Sequence, residues 1–156
     1  TISWVAIHMI DLILWLTREK CVAVSAFGST EANGGNGSLE SAVICNMQME
    51  NSILASVRAD YLRPSFAETH GDDRIRIVGT VGAIEVRDDT VYLLDKSASQ
   101  PQIIPNDESV PIFLDFLDAV AGKKGTNIDT CQSLYSTYVC LELTRSMREK
   151  RTIIMP

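Results

Sequence analysis

The chain has 156 residues, 46% hydrophobic and 22% charged. That is ordinary globular usage and excludes a disordered tail or a collagen-like fibre. Twenty acidic against 14 basic residues leave a formal charge of -6, which argues against a grip on phosphate backbones or anionic membrane surfaces, so neither nucleic acid nor membrane is an expected partner. The longest apolar stretch, Val5 to Leu16, is broken by His8 and Asp11 and is too short to span a bilayer. No basic segment precedes it, as a signal peptide requires. The chain begins at Thr1 rather than Met, so a longer parent is expected.

In chain order, Ile2 to Arg18 reads as a helix. Ile2, Val5, Met9, Leu12, Ile13 and Leu16 follow helical spacing and form its expected buried face. Trp4, His8, Asp11 and Trp15, spaced by four, three and four, form a second stripe. Cys21 to Phe27 is a strand, and Gly28 to Ser38, with four glycines and two asparagines, is a loop. Leu39 to Met49 and Ser52 to Tyr61 read as a hairpin turning at Glu50-Asn51, with Val43, Cys45, Met47 and Met49 on one face. Leu62 to Asp72 is a second loop. Asp73 to Gly79, Ala83 to Arg87 and Val91 to Leu94 are short strands, turning at Gly79–Gly82 and Asp88-Asp89. Lys96 to Glu108, with Pro101 and Pro105, reads as a connection.

Two helices close the chain. Ser109 is placed to cap one running to Ala121, with Ile112, Phe113, Phe116, Leu117 and Val120 as its apolar face and Gly122 ending it. Asp129 and Gln132 resemble a capping box for the last helix, which runs to about Arg148. Helix, strands, then helices predict an α+β domain: an open, mostly antiparallel sheet with helices on one face. The strand residues are apolar on both faces, as Ile44 and Leu54 show, so the open sheet face is expected to pair with a second copy.

The four cysteines, Cys21, Cys45, Cys131 and Cys140, form no CxxC pair and no zinc spacing. Free buried thiols in the reducing cytoplasm are expected. No dinucleotide fingerprint occurs. Gly35-Asn36-Gly37 has Glu40 where the third glycine belongs, and Gly122-Lys123-Lys124 ends a helix where a phosphate loop would begin one. Nucleophile elbows and zinc-protease motifs are absent. No metal is expected, and this chain carries no cofactor of its own. His8 has two readings. It is either a core histidine with satisfied ring nitrogens or a group that moves a proton near neutral pH, with Asp11 one turn on to orient it or to cap a neighbouring loop.

The ordered set IHMIDLILWL, VAVSAF, a Gly-rich loop, SILASVRADY, DDRIRIVGTVGAIEV and SMREKRTIIM resembles the C-terminal domain of the Gfo/Idh/MocA oxidoreductase family. Members often read G-x-H-x-x-D-x-x-x-W-L, then I-x-G-T-x-G-x-I, then a serine before a closing strand. The matches here are His8, Asp11, Trp15 and Leu16; Ile77, Gly79, Thr80, Gly82 and Ile84; and Ser146. The resemblance spans nearly the whole chain. It implies a fold like that of the dihydrodipicolinate-reductase C-terminal domain. It also implies a two-domain parent whose N-terminal Rossmann domain, absent from residues 1–156, binds NAD or NADP. Such a parent passes hydride between a sugar or polyol carbon and the nicotinamide. On this reading the fragment alone is not catalytic. It supplies the substrate contacts and the oligomer interface.

By the same resemblance His8 is the catalytic histidine. Many members place an aspartate four residues before it, where this chain has Trp4. Tryptophan cannot polarise an imidazole, but it can stack on a sugar face or pack into the core. Trp4, Asp11 and Arg63 are therefore the candidate substrate-binding residues, Arg63 as a carboxylate or phosphate anchor. Arg63 and His70 share the loop after the hairpin, which in this architecture borders the substrate cleft. The competing reading is a non-enzymatic α+β module that binds a ligand or protein partner.

Overall fold

The computed structural model describes residues 1–69, 71–107, 109, 111–123 and 130–156. Helices and antiparallel strands are both present, as the α+β expectation requires. The strands divide between two four-stranded sheets rather than one. The chain separates into two compact units, Thr1–Arg63 with Ala119–Pro156, and Pro64–Asp118.

The first unit opens with a π-helical turn, Ile2–Ala6, that runs into α1 (Ile7–Thr17). Arg18 closes α1 in a left-handed conformation (φ 57). The buried face differs from the expected one. Ile2, Ala6, Ile10 and Leu14 are buried, Met9 and Ile13 only flank the core, and Leu16 is exposed. Four residues overshoot one α-helical turn by about 40°. A strict four-residue spacing therefore drifts around an α-helix, and the wider π turn at its start counters that drift. Apolar side chains nearly encircle this helix, so periodicity alone does not choose the buried stripe.

β1 (Cys21–Ser29), β2 (Ala42–Met49), β3 (Leu54–Asp60) and the two-residue β8 (Ile153–Ile154) form a sheet of order β3-β2-β1-β8. In β2, Val43, Cys45, Met47 and Met49 are buried and Ile44, Asn46 and Gln48 exposed, the alternation expected of a half-covered sheet. β1 is bulged between Cys21 and Ala23, so Cys21 and Val24, three apart, both face inward. α3 (Thr130–Glu149) contributes Val139, Cys140 and Leu143 to the same core. Its Tyr135 hydroxyl accepts the Cys21 N–H at 2.8 Å, satisfying an amide at the bulge.

Ser146, buried near the end of α3, accepts the Ala26 N–H at 3.2 Å and donates to the Arg151 carbonyl at 2.5 Å. β8 pairs only with Ala23 and Val24. The hydroxyl thus takes the β1 amide that lies beyond the reach of this short strand, which gives the serine of the motif a structural reason.

The second unit is a meander of β4 (Ile75–Val78), β5 (Gly82–Arg87), β6 (Thr90–Asp95) and β7 (Gln102–Ile104), in that order. β7 falls inside the stretch read as a connection. Three residues between two prolines give no strand periodicity, and proline is tolerated only at a strand's edge or ends. Asp88 and Asp89 both have positive φ (50 and 56), the conformation of a tight hairpin turn. At the other turn, Gly79 N–H donates to the Gly82 carbonyl at 2.9 Å. A Cβ on Gly82 would stand 2.6 Å from the Leu94 carbonyl oxygen, so the second glycine of the motif serves backbone approach.

Cross-strand register gives this sheet one apolar face. Ile75, Val86, Val91 and Ile104 form one rung, and Ile77, Ile84, Leu93 and Gln102 the next. α2 (Ile112–Val120) begins after Pro111, whose carbonyl accepts the Leu114 and Asp115 N–H groups. It starts later than the expected Ser109, and Gly122 (φ +70) follows its end as expected. The face of Ile112, Phe113, Phe116, Leu117 and Val120 is exposed, and Asp115 is the buried member. Helical spacing reports amphipathicity but not what covers the apolar side. Asp129, the expected cap of α3, lies outside the described residues.

Candidate functional site

The helical stripe predicted from Trp4, His8 and Asp11 splits in three dimensions. Trp4, in the π turn, is 79% exposed, and His8, in the first turn of α1, is exposed as well. One helical turn apart, they form an outward-facing pair of an aromatic ring and an imidazole. π turns inside helices recur at functional sites, and this one runs directly up to the turn that bears His8. The core-histidine reading does not survive, because His8 is exposed and makes no side-chain hydrogen bond among the described residues.

Asp11 turns the other way. Its Oδ1 accepts the Ser136 hydroxyl at 2.5 Å and the Gln132 amide at 3.4 Å, tying α1 to α3. Ser136 is only 2% exposed. Asp11 is thus engaged across a helix–helix interface and makes no bond to His8. Sequence spacing missed this partnership, since Ser136 lies 125 residues away and carries no motif.

Arg63 is exposed at the end of the first unit, beyond β3, where Asp60 accepts the Leu62 N–H at 3.1 Å. It sits on a different element from Trp4 and His8. His70 lies outside the described residues. The Gly-rich loop is held by Asn33, which donates to the Gly37 and Leu39 carbonyls and accepts the Gly35 N–H. It leads into β2 rather than opening a helix, so it does not form a pyrophosphate cradle.

The three buried thiols are not activated nucleophiles. Cys21, Cys45 and Cys140 are buried and free, as expected, whereas Cys131 is exposed. Burial pushes Cys45 up to about 12, with the neighbouring Cys140 adding to the shift. Burial likewise pushes Cys21 and Cys140 up to about 11. All three stay protonated near neutral pH, unlike an activated thiolate. Among the described residues no cluster of three or more His, Cys, Asp or Glu is arranged to hold a metal ion. No helix among them is long and apolar enough to cross a membrane.

The outer face of the first sheet is open. Ser25, Asn46 and Ser56 form a cross-strand rung there, beside Ala23, Gln48 and Leu54. These residues and Thr152 line a shallow depression of about 420 Å³. Phe27, Ile44, Leu54 and Ile154 are exposed apolar groups on β1, β2, β3 and β8.

Residues 2–85 match the GFO/IDH/MocA C-terminal domain. No curated protein matches the chain. Among solved structures, a Thermotoga maritima protein provisionally named an oxidoreductase is 38% identical, with a TM-score of 0.96 over 99% of this chain and 47% of its own. UDP-N-acetylglucosamine 3-dehydrogenase from Acidithiobacillus ferrooxidans is 19% identical, with a TM-score of 0.76 over 92% of this chain and 45% of its own. The WlbA dehydrogenase from Bordetella pertussis, in complex with NADH and UDP-GlcNAcA, is 18% identical, with a TM-score of 0.74 over 97% of this chain and 44% of its own. The two more distant likenesses show the fold. The chain spans about half the length of these structures.

Proposed function

We propose, because the chain belongs to the GFO/IDH/MocA C-terminal domain family, that it is the substrate-side half of an NAD(P)-dependent oxidoreductase acting on a hydroxyl of a sugar, polyol or related compound. The observation that carries this reading is His8, exposed in the first turn of α1 with Trp4 exposed one turn before it. In a parent of this kind a bound nicotinamide would supply or take up the hydride at the substrate carbon. On this reading NAD or NADP belongs to the other half of the parent, and this chain supplies the substrate side.

The chain's own part is the proton. As a substrate hydroxyl becomes a carbonyl, its proton passes to an imidazole nitrogen of His8, and in the reverse direction His8 returns it. Trp4 offers an apolar ring on which a sugar face stacks, and Arg63 a guanidinium for a carboxylate or phosphate on the substrate. The buried free thiols are in keeping with a reducing cytoplasm. The open outer face of the first sheet, with Phe27, Ile44 and Leu54 exposed, is the surface through which two copies pair.

The test is His8→Ala in the full-length parent. Turnover should fall by about 10²- to 10⁴-fold, while thermal unfolding changes little because the side chain is exposed. Turnover within a few-fold of the unaltered protein would overturn the assignment. For the sheet face, Ile44→Asp should convert a dimer or larger even-numbered assembly to monomer by light scattering. A protein that is monomeric before the substitution refutes the pairing.

A further inference from the structure

Resting on the reading of His8 as the proton-handling residue, we infer that Ser136 and Asp11 are positioning residues: their hydrogen bond sets the register of α1 against α3 and thereby where His8 stands. Both helices also lay aliphatic groups into the shared core, Ile10 and Leu14 from α1 and Val139 and Leu143 from α3. Apolar contacts are non-directional, so they hold two helices together without resisting a small rotation or slide. Among the described residues, the side-chain hydrogen bonds between these helices converge on Asp11.

The chemistry of Ser136 makes this bond selective. Its hydroxyl has a single hydrogen, and two acceptors lie within reach: Asp11 Oδ1 at 2.5 Å and the Gln132 carbonyl at 3.0 Å. The second is the back-bond that any serine inside a helix can make. The shorter contact, to a carboxylate, is the stronger kind. Ser136 therefore spends its proton across the interface rather than within its own helix. Asp11 lies three residues after His8, so the bond fixes α1 within one turn of the imidazole. Catalytic geometry is sensitive at this scale, since a displacement of about 1 Å costs on the order of 10²-fold in rate.

The experiment follows the His8 imidazole directly and needs no substrate. The full-length protein is labelled with ¹³C at histidine Cε1, and the His8 resonance is identified by its loss in His8→Gln. In Ser136→Ala this resonance should move or split, and in Ser136→Thr, which restores a hydroxyl, it should return. Leu143→Ala serves as the stability control: it opens the same core without touching the hydrogen bond and should leave the resonance in place. If Ser136→Ala does not fold, Asp11→Asn carries the test, with a smaller displacement expected because the amide oxygen still accepts. An unmoved resonance, or an equal change in Leu143→Ala, overturns the positioning role. Loss of turnover in His8→Ala is measured separately, so failure of the proton-transfer reading and failure of this inference give different results.

Discussion

Every buried hydrophobic side chain among the described residues belongs to the first unit, from Ile2 and Ile10 through Met47 and Leu143 to Met155. In the second unit the apolar rungs Ile75–Val86–Val91 and Ile77–Ile84–Leu93 are half-buried or exposed, and among the described residues there the one buried is Asp115. Each unit is built on a four-stranded antiparallel sheet. What separates them is cover. In the first unit α1, α3 and the π turn lay aliphatic side chains on one face of the sheet, so strand alternation becomes a core. The comparison teaches that hydrogen-bonded pairing specifies a sheet's shape, while burial of one face supplies most of its stability.

The sharpest way to break this contrast is a matched pair of truncations. Leu143→Ala, at a fully buried site, should cost about 2–5 kcal/mol. Leu93→Ala, at a half-exposed site, should cost well under half as much by the same chemical denaturation. Equal costs would mean that the second unit has a core of its own. Amide exchange should agree, with β2 protected far longer than β5.

Next come the two motif residues, one in each unit. Ser146→Ala leaves the Ala26 N–H and the Arg151 carbonyl without their partner, and should destabilise the first unit by about 1–3 kcal/mol. Gly82→Ala forces a methyl against the Leu94 carbonyl, so exchange should accelerate in β5 and β6 while β1 to β3 keep their protection. Acceleration across both sheets would show that the units unfold together.

A smaller effect is expected in alkali. Cys45 is raised from 9.0 to about 12, so between those values the folded chain retains a proton that the unfolded chain has shed. Its contribution to stability is therefore full below about pH 9 and declines as pH rises toward 12. Denaturant midpoints measured from pH 8 to 11 should fall, and Cys45→Ala should flatten that decline. In keeping with the same burial, iodoacetamide should label Cys131 alone in the native chain and all four cysteines after denaturation.

The smallest expected signal is zero. Titration of the chain with NADH or NADPH should give no saturable heat, because the Gly-rich loop opens a strand rather than a helix. Micromolar binding would remove the assignment of the cofactor to the other half of the parent.

Much of this was legible in the residues. Strict alternation from Val43 to Met49 named the inner face of β2 correctly, because a period of two has only two possible phases and one of them is plainly more apolar. The Asp88-Asp89 turn and the closing role of Gly122 were legible because short-range backbone chemistry decides them. α1 was not. Its apolar residues surround the axis, so several stripes satisfied helical spacing, and the stripe centred on Ile10 and Leu14 emerged only when α3 and the sheet chose a side. The same holds for the site. That His8 and Trp4 share a side follows from their spacing by four.

That Asp11 serves Ser136 rather than His8 belongs to the tertiary structure alone. So do the docking of Ser146 on the Ala26 amide and the division of the strands into two sheets. Local sequence determines periodicity, turns and caps, because those depend on neighbours a few bonds away. Which face is covered, and which hydroxyl meets which carboxylate, depends on groups brought together from more than a hundred residues apart. Nothing in the spacing of either segment encodes the other.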